Sequence, residues 1–186
     1  MGVTIAHRRF TVDEYHRMAE TGILGPQDRV ELIEGEIVEM SPIGEKHAVS
    51  VDGLTAVFVV KTVGRATVRV QGPIRLDRRA EPQPDLAILH PNKERYSTDH
   101  PGPGDIFLVI EVSDTTQEFD RETKIPAYAR AGIRESWLVN LVAGNVEVFR
   151  RPGLSGYGDV RIFGRGQTVA PEAFPDVVIK VDEILG

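Results

Sequence analysis

Two short apolar runs, each carrying one acid, constrain this chain most. In Gln83-Pro84-Asp85-Leu86-Ala87-Ile88-Leu89 an aspartate follows a proline at the head of a hydrophobic stretch. In Ile106-Phe107-Leu108-Val109-Ile110-Glu111-Val112 a glutamate stands near the tail of a longer one. Acids are seldom buried without a partner, so each placement needs an explanation. If the runs are adjacent antiparallel strands, the head of one meets the tail of the other. Asp85 and Glu111 then lie at the same end of a sheet, close enough to share a divalent cation. Hard oxygen donors select Mg²⁺ or Mn²⁺. Such an ion polarises a phosphoryl oxygen and makes a nucleophile of bound water, so the pair points to metal-dependent hydrolysis.

The flanking segments read as mixed α+β around a largely antiparallel sheet. Thr11-Val12-Asp13-Glu14 is a capping box opening a short helix, with Gly22 placed to end it. Val30 to Ile33 and Glu36 to Met40 are strand-like and flank Glu34-Gly35, a tight hairpin turn. Val51, Leu54, Val57 and Phe58 recur at helical spacing within a segment too long for a strand. Strands are expected at Ala66 to Gln71 and Pro73 to Leu76, a charged turn at Asp77 to Pro82, and a loop from Pro91 to Gly104. After the Glu111 run, Arg121 to Ala131 is expected to be helical with Gly132 as its stop, and Asp120 to cap it. Strands follow at Glu135 to Asn140 and Asn145 to Phe149, then glycine-rich hairpins and a short helix at Val181 to Leu185.

At 186 residues the chain suits one domain, expected as a core over about residues 10–150 with a C-terminal hairpin extension over 151–186. It has no cysteine, which excludes disulfides, thiolate metal sites and a cysteine nucleophile and is compatible with a cytoplasmic location. Residues Met1 to Phe10 lack the apolar core of a secretory signal, and the longest apolar stretches fall far short of a membrane span. Lys and Arg number 22 against 28 acids, a net charge of −6, which argues against a strongly basic nucleic-acid surface. Arg75, Arg78 and Arg79, with Arg65 and Arg69 upstream, form the densest basic patch, and such runs are mostly solvated surface.

A lysine near the acids would orient the water or offset phosphoryl charge. Position 113, two after Glu111, is serine. Lys124 lies in the first turn of the expected next helix, on one face with Tyr128 and pointing back over the strand's end. Each candidate also has a plainer role. Asp85 could cap a turn, Glu111 could pair with an arginine, and Lys124 could be an exposed helical lysine. His47 would cap its helix or neighbour the site, and Tyr128 and Trp137 are expected in the core.

Gln83-Pro84-Asp85, then Glu111-Val112-Ser113 with Asp120 and Lys124 downstream, resembles the PD-(D/E)XK nuclease superfamily, and in particular the Uma-two family of restriction-endonuclease-like proteins. Val30-Glu31-Leu32-Ile33-Glu34-Gly35-Glu36 is similar to that family's E-L-I-D-G-E opening. Ser41-Pro42 with His47, the strand ending Glu111-Val112-Ser113 with Thr115 and Thr116, and Tyr128-Ala129-Arg130-Ala131-Gly132-Ile133 running into Trp137-Leu138-Val139 extend the likeness over about Phe10 to Phe149. The resemblance implies a restriction-endonuclease-like core, a mixed, mainly antiparallel sheet flanked by helices. It implies Asp85 and Glu111 as metal ligands, a catalytic lysine migrated from position 113 to Lys124, and Glu31 as a supporting acid. Glu34, Ser136 and Asn140 depart from the family pattern without removing a proposed ligand.

The functional expectation is therefore a Mg²⁺- or Mn²⁺-dependent endonuclease acting on DNA, with homodimers natural for enzymes that cut both strands. Two alternatives stand beside it. One is a catalytically inactive module of the same fold, binding nucleic acid or a protein partner. The other is a hydrolase of smaller phosphoesters, since fold alone does not fix substrate.

Overall fold

The structure is a computed structural model that describes residues 7–91 and 94–186, so most of the amino-terminal segment read above against a secretory signal lies outside the described residues. Helix α1 (Val12–Glu20) is opened by the expected reciprocal cap: the Thr11 amide donates to Glu14 Oε2 at 2.9 Å while the Glu14 amide donates to Thr11 Oγ1. Strands β1 (Val30–Ile33) and β2 (Glu36–Glu39) form a two-residue hairpin. Its turn holds Glu34 at φ 51° and Gly35 at φ 79°, the double left-handed geometry that matches strand twist. A Cβ at position 35 would come within 2.7 Å of Arg9 Cβ, so the glycine is required twice over.

Helix α2 (Glu45–Lys61) leads into β3 (Thr67–Val70), β4 (Leu86–Leu89) and β5 (Ile106–Ser113). A continuous helical segment follows, made of α3 (Gln117–Phe119), a π-helical turn (Asp120–Lys124) and α4 (Ile125–Ala131), which Gly132 ends at φ 85°. Strands β6 (Glu135–Asn140), β7 (Asn145–Gly153) and β8 (Gly156–Gly164) complete the main sheet. The short pair β9 (Thr168–Val169) and β10 (Ile179–Lys180) and helix α5 (Val181–Leu185) close the chain.

The main sheet runs in the order β3-β4-β5-β6-β7-β8. Its β5–β6 pair is parallel and the rest are antiparallel, because the helical segment between those two strands is a crossover rather than a hairpin. This is the mixed, mainly antiparallel sheet flanked by helices that the sequence led us to expect. Strand alternation divides the core into two layers. Leu86, Ile88, Leu108, Ile110, Trp137 and Val139 pack against Val51, Leu54 and Phe58 of α2, joined by Val169, Phe174, Val177, Ile179, Val181 and Ile184. Ala87, Leu89, Val109 and Leu138 pack on the other face against Ile125, Tyr128 and Ile133.

One expected strand is absent. Pro73 to Leu76 joins no sheet; Ile74 and Leu76 donate instead to the carbonyls of Pro82 and Ala80, folding residues 73–82 back on themselves. Among the described residues β3 ends the sheet and pairs only with β4; the segment does not extend it because its own amides are taken by the carbonyls of Pro82, Pro101 and Ala80. Among the described residues, no helix is long and apolar enough to cross a membrane.

Candidate active site

The register Leu86↔Ile110 between β4 and β5 sets Asp85 beside Glu111. Residues opposite one another in an antiparallel pair share a face, and here it is the face covered by α4. Asp85 is held firmly. Its Oδ2 accepts from the Val112 amide at 2.8 Å and lies 3.0 Å from His47 Nε2, while Gln71 Nε2 stands 3.4 Å from Oδ1. Glu111 is only 3 % exposed. Lys124 Nζ lies 2.9 Å from its Oε1, and the Tyr128 hydroxyl donates to that same oxygen. Glu31 completes the group: its Oε2 accepts from the Gln83 amide at 2.9 Å and lies 3.4 Å from Lys124 Nζ. The structure thus brings Asp85, Glu111, Lys124 and Glu31 into one cleft of about 170 Å³, whose rim includes Arg29, Ser41, Thr115 and Phe119.

Two expectations about the helical segment are corrected. Asp120 does not cap a helix, because the helix has already begun at Gln117. Its carboxylate instead accepts from Ser113 Oγ and, at 2.6 Å, from Thr116 Oγ1, tying the segment to the end of β5. Lys124 is not in a first turn either; it is the last residue of the π turn. A π turn is wider than an α turn by one residue, a feature common at functional sites. Both polar residues at its ends, Asp120 and Lys124, are buried toward the sheet. His47 likewise caps nothing, since Gly44 holds that position in α2; its ring is spent on Asp85, and its Nδ1 is buried without a hydrogen-bond partner.

A family model described as "Putative restriction endonuclease" (Uma2) matches residues 12–182. The chain belongs to this family. No curated protein matches it. Among solved structures it is similar to one described as "a putative nuclease belonging to DUF820" from Anabaena variabilis, with TM-score 0.74 and 17 % identity over 95 % of this chain and 97 % of that one. That likeness concerns the fold. The type IIG restriction endonuclease BpuSI aligns at TM-score 0.37 and 17 % identity over 60 % of this chain and 13 % of its own, too little to build on.

In this Uma2 family member burial and the crowded carboxylates together set the electrostatics of the cleft. Burial pushes the Glu111 carboxyl well above the usual glutamate range; Lys124 pulls it back, and Asp120, Asp85 and Glu31 add to the push. Burial on its own would lower the Lys124 ammonium, but the carboxylates of Glu111, Glu31 and Asp120 outweigh it and hold the amine above the ordinary lysine range. Lys124 therefore stays charged. The Tyr128 hydroxyl is raised by burial and then by Glu111 and Glu31, so it remains a donor. His47 is raised chiefly by its hydrogen bond to Asp85.

The donor set fits a hard divalent ion. Among the described residues, the hydrogen bonds that Glu111 accepts fall on Oε1, leaving Oε2, and Asp85 Oδ1 carries only the long contact from Gln71. Mg²⁺ is commonly held by one or two carboxylates and keeps several waters, so two such oxygens suffice. Three metal-binding side chains do converge elsewhere: His16, Glu81 and His100, none of which lines this cleft. The sequence reading passed over that trio, and it placed Tyr128 in the core without its hydroxyl's role on Glu111. The four-residue spacing from Lys124 was the available signal for Tyr128; the trio has none, because its members come from distant segments.

Proposed function

We propose that this chain is an endonuclease that hydrolyses DNA phosphodiester bonds with Mg²⁺ or Mn²⁺ bound by Asp85 and Glu111. The observation that carries this reading is the β4–β5 register, which sets two acids side by side on one sheet face within reach of a buried lysine. A bound ion supplies Lewis acidity and a water of lowered pKa. Asp85 keeps its orientation through the Val112 amide and His47. Lys124 offers a fixed positive charge to offset the negative charge that builds on a phosphoryl group under in-line attack. Glu31 and Tyr128 hold that ammonium and the Glu111 carboxylate in place, so neither has to reorganise during reaction.

A second reading, a non-catalytic module of this fold, is favoured by two observations. Lys124 is already engaged by two carboxylates. The groove beside the cleft bears Glu39, Glu118 and Glu122, which repel a phosphate backbone.

Purified protein incubated with supercoiled plasmid and Mg²⁺ or Mn²⁺ separates the two. Nicking or linearisation that disappears in Asp85→Ala and Glu111→Ala supports the nuclease; cutting that persists in both variants belongs to a contaminant. Salt-sensitive DNA binding without cutting under either ion establishes the module instead.

A further inference from the structure

Outside the cleft, three segments far apart in sequence converge on one point. His16 comes from α1, Glu81 from the residue that bridges to Leu32, and His100 from the loop before β5. One ligand atom from each lies within 4.8 Å of the other two. Glu81 is only 3 % exposed, while both imidazoles are partly accessible. His16 Nε2 lies 2.6 Å from Glu81 Oε1, and Arg75 Nε donates to Oε2 at 3.3 Å. Among the described residues the buried carboxylate is thus satisfied by Arg75 and His16, and His100 is surplus to that need. Its ring stands edge-on to His16, 6.3 Å between centroids, and its side chain makes no hydrogen bond among the described residues.

We infer that His16, Glu81 and His100 form a second metal site, one for a Zn²⁺-class ion rather than Mg²⁺. Two imidazole nitrogens and one carboxylate oxygen are a borderline donor set, which suits zinc and its neighbours, whereas Mg²⁺ prefers oxygen alone. With zinc bonds of about 2.0–2.1 Å, ligand atoms of a tetrahedral site stand about 3.3 Å apart. Ligand atoms that all lie within 4.8 Å of one another therefore reach that spacing by a modest movement of His100, which is on a loop. Glu81 would coordinate through Oε1 in place of its bond to His16, and Arg75 would remain on Oε2, orienting the ligand as outer partners of metal sites do. The fourth position is left to water.

Such an ion ties α1 and the loop before β5 to the strand carrying Glu31, because the Glu81 amide donates to Leu32 O at 2.7 Å. Two residues on from Glu81, the Gln83 amide holds Glu31 in the cleft. The second site thereby braces the segment that ends in Asp85 without contributing a side chain to the cleft.

The test uses the full chain, stripped with chelator and titrated with Zn²⁺ by calorimetry and with Co²⁺ by visible absorption. We expect one site whose occupancy raises Tm, intact in Asp85→Asn, and weakened at least about a hundredfold in His16→Ala and His100→Ala, since even outer partners of metal sites contribute 10- to 100-fold. Ring NMR signals of His16 and His100 in the wild type, which need no variant to fold, are expected to shift together at one equivalent of Zn²⁺. Absence of binding, unmoved rings, equal affinity in the histidine variants, or loss of the site in Asp85→Asn would each overturn the inference. None of these readouts depends on DNA cleavage, so its failure is separable from failure of the nuclease reading.

Discussion

Glu111 and Glu135 are both buried glutamates on central strands of one sheet, and the protein treats them in opposite ways. Glu135, at the start of β6 and 1 % exposed, is satisfied on both oxygens. Its Oε1 accepts from Trp137 Nε1 and from Arg150 Nε and Nη2, and its Oε2 accepts from the Glu172 amide at 2.6 Å. Glu111, at the far end of β5 and on the other face, has its bonds crowded onto one oxygen while the other is left toward a cleft. Burial alone does not mark a functional acid. What distinguishes the two is an oxygen left over after the protein's own donors are counted.

The largest expected effect falls on chemistry. Asp85→Ala and Glu111→Ala should each lower metal-dependent plasmid cleavage by more than about a hundredfold, given that even outer partners of a metal are worth about 10- to 100-fold. Glu135→Ala should leave cleavage by the folded protein unchanged, measured as rate per native molecule; a comparable loss there would erase the contrast. On stability the order is different. Lys124→Met strands a buried carboxylate and should cost about 3–5 kcal/mol in urea unfolding, and the Lys124→Met/Glu111→Gln pair should recover much of it. Glu135→Ala should cost about 2–4 kcal/mol, because the Trp137 and Glu172 N–H groups lose their acceptor.

The smallest effect sharpens the contrast through pH. Burial raises the Glu111 carboxyl, so the native state holds a proton there that the unfolded chain has released. Relative to Glu111→Gln, wild-type stability should therefore fall as pH climbs from the ordinary glutamate range through the raised native value. The slope is at most about 1.4 kcal/mol per pH unit. Denaturant titrations across that range check the sign, and a rising difference would show that Lys124 governs the carboxyl rather than burial.

Most of the scaffold was legible because its signals are local. The Thr11–Glu14 cap, the Glu34-Gly35 turn and the Gly132 stop each need only a few neighbouring residues, and all three stand as read. The pairing of Asp85 with Glu111 was legible because it follows from strand direction once the two runs are neighbours. Pro73 to Leu76 was misread because a strand-like composition does not reveal where its amides find acceptors, here the carbonyls of Pro82, Pro101 and Ala80. Asp120 was misread because a helix that starts at Gln117 and widens after Phe119 has no periodicity to announce it. His16, Glu81 and His100 were invisible for a different reason: their proximity is a property of the folded chain alone.

The widened turn from Asp120 to Lys124 has a consequence for how firmly the lysine is moored. A strand side chain can change face only by slipping register, which would turn every neighbour in β5 to the wrong side. A helix side chain keeps phase with its neighbours: Ile125 and Tyr128, just beyond Lys124, are packed against the sheet, so one residue inserted or deleted among positions 117–123 turns the upstream end by about 100° and leaves the amine where α4 holds it. Placing the cation directly before α4 therefore ties its location to the packing of the core. Deleting one of residues 121–123 should pull Asp120 off Ser113 and Thr116, while the lysine and the sheet beneath it stay in register.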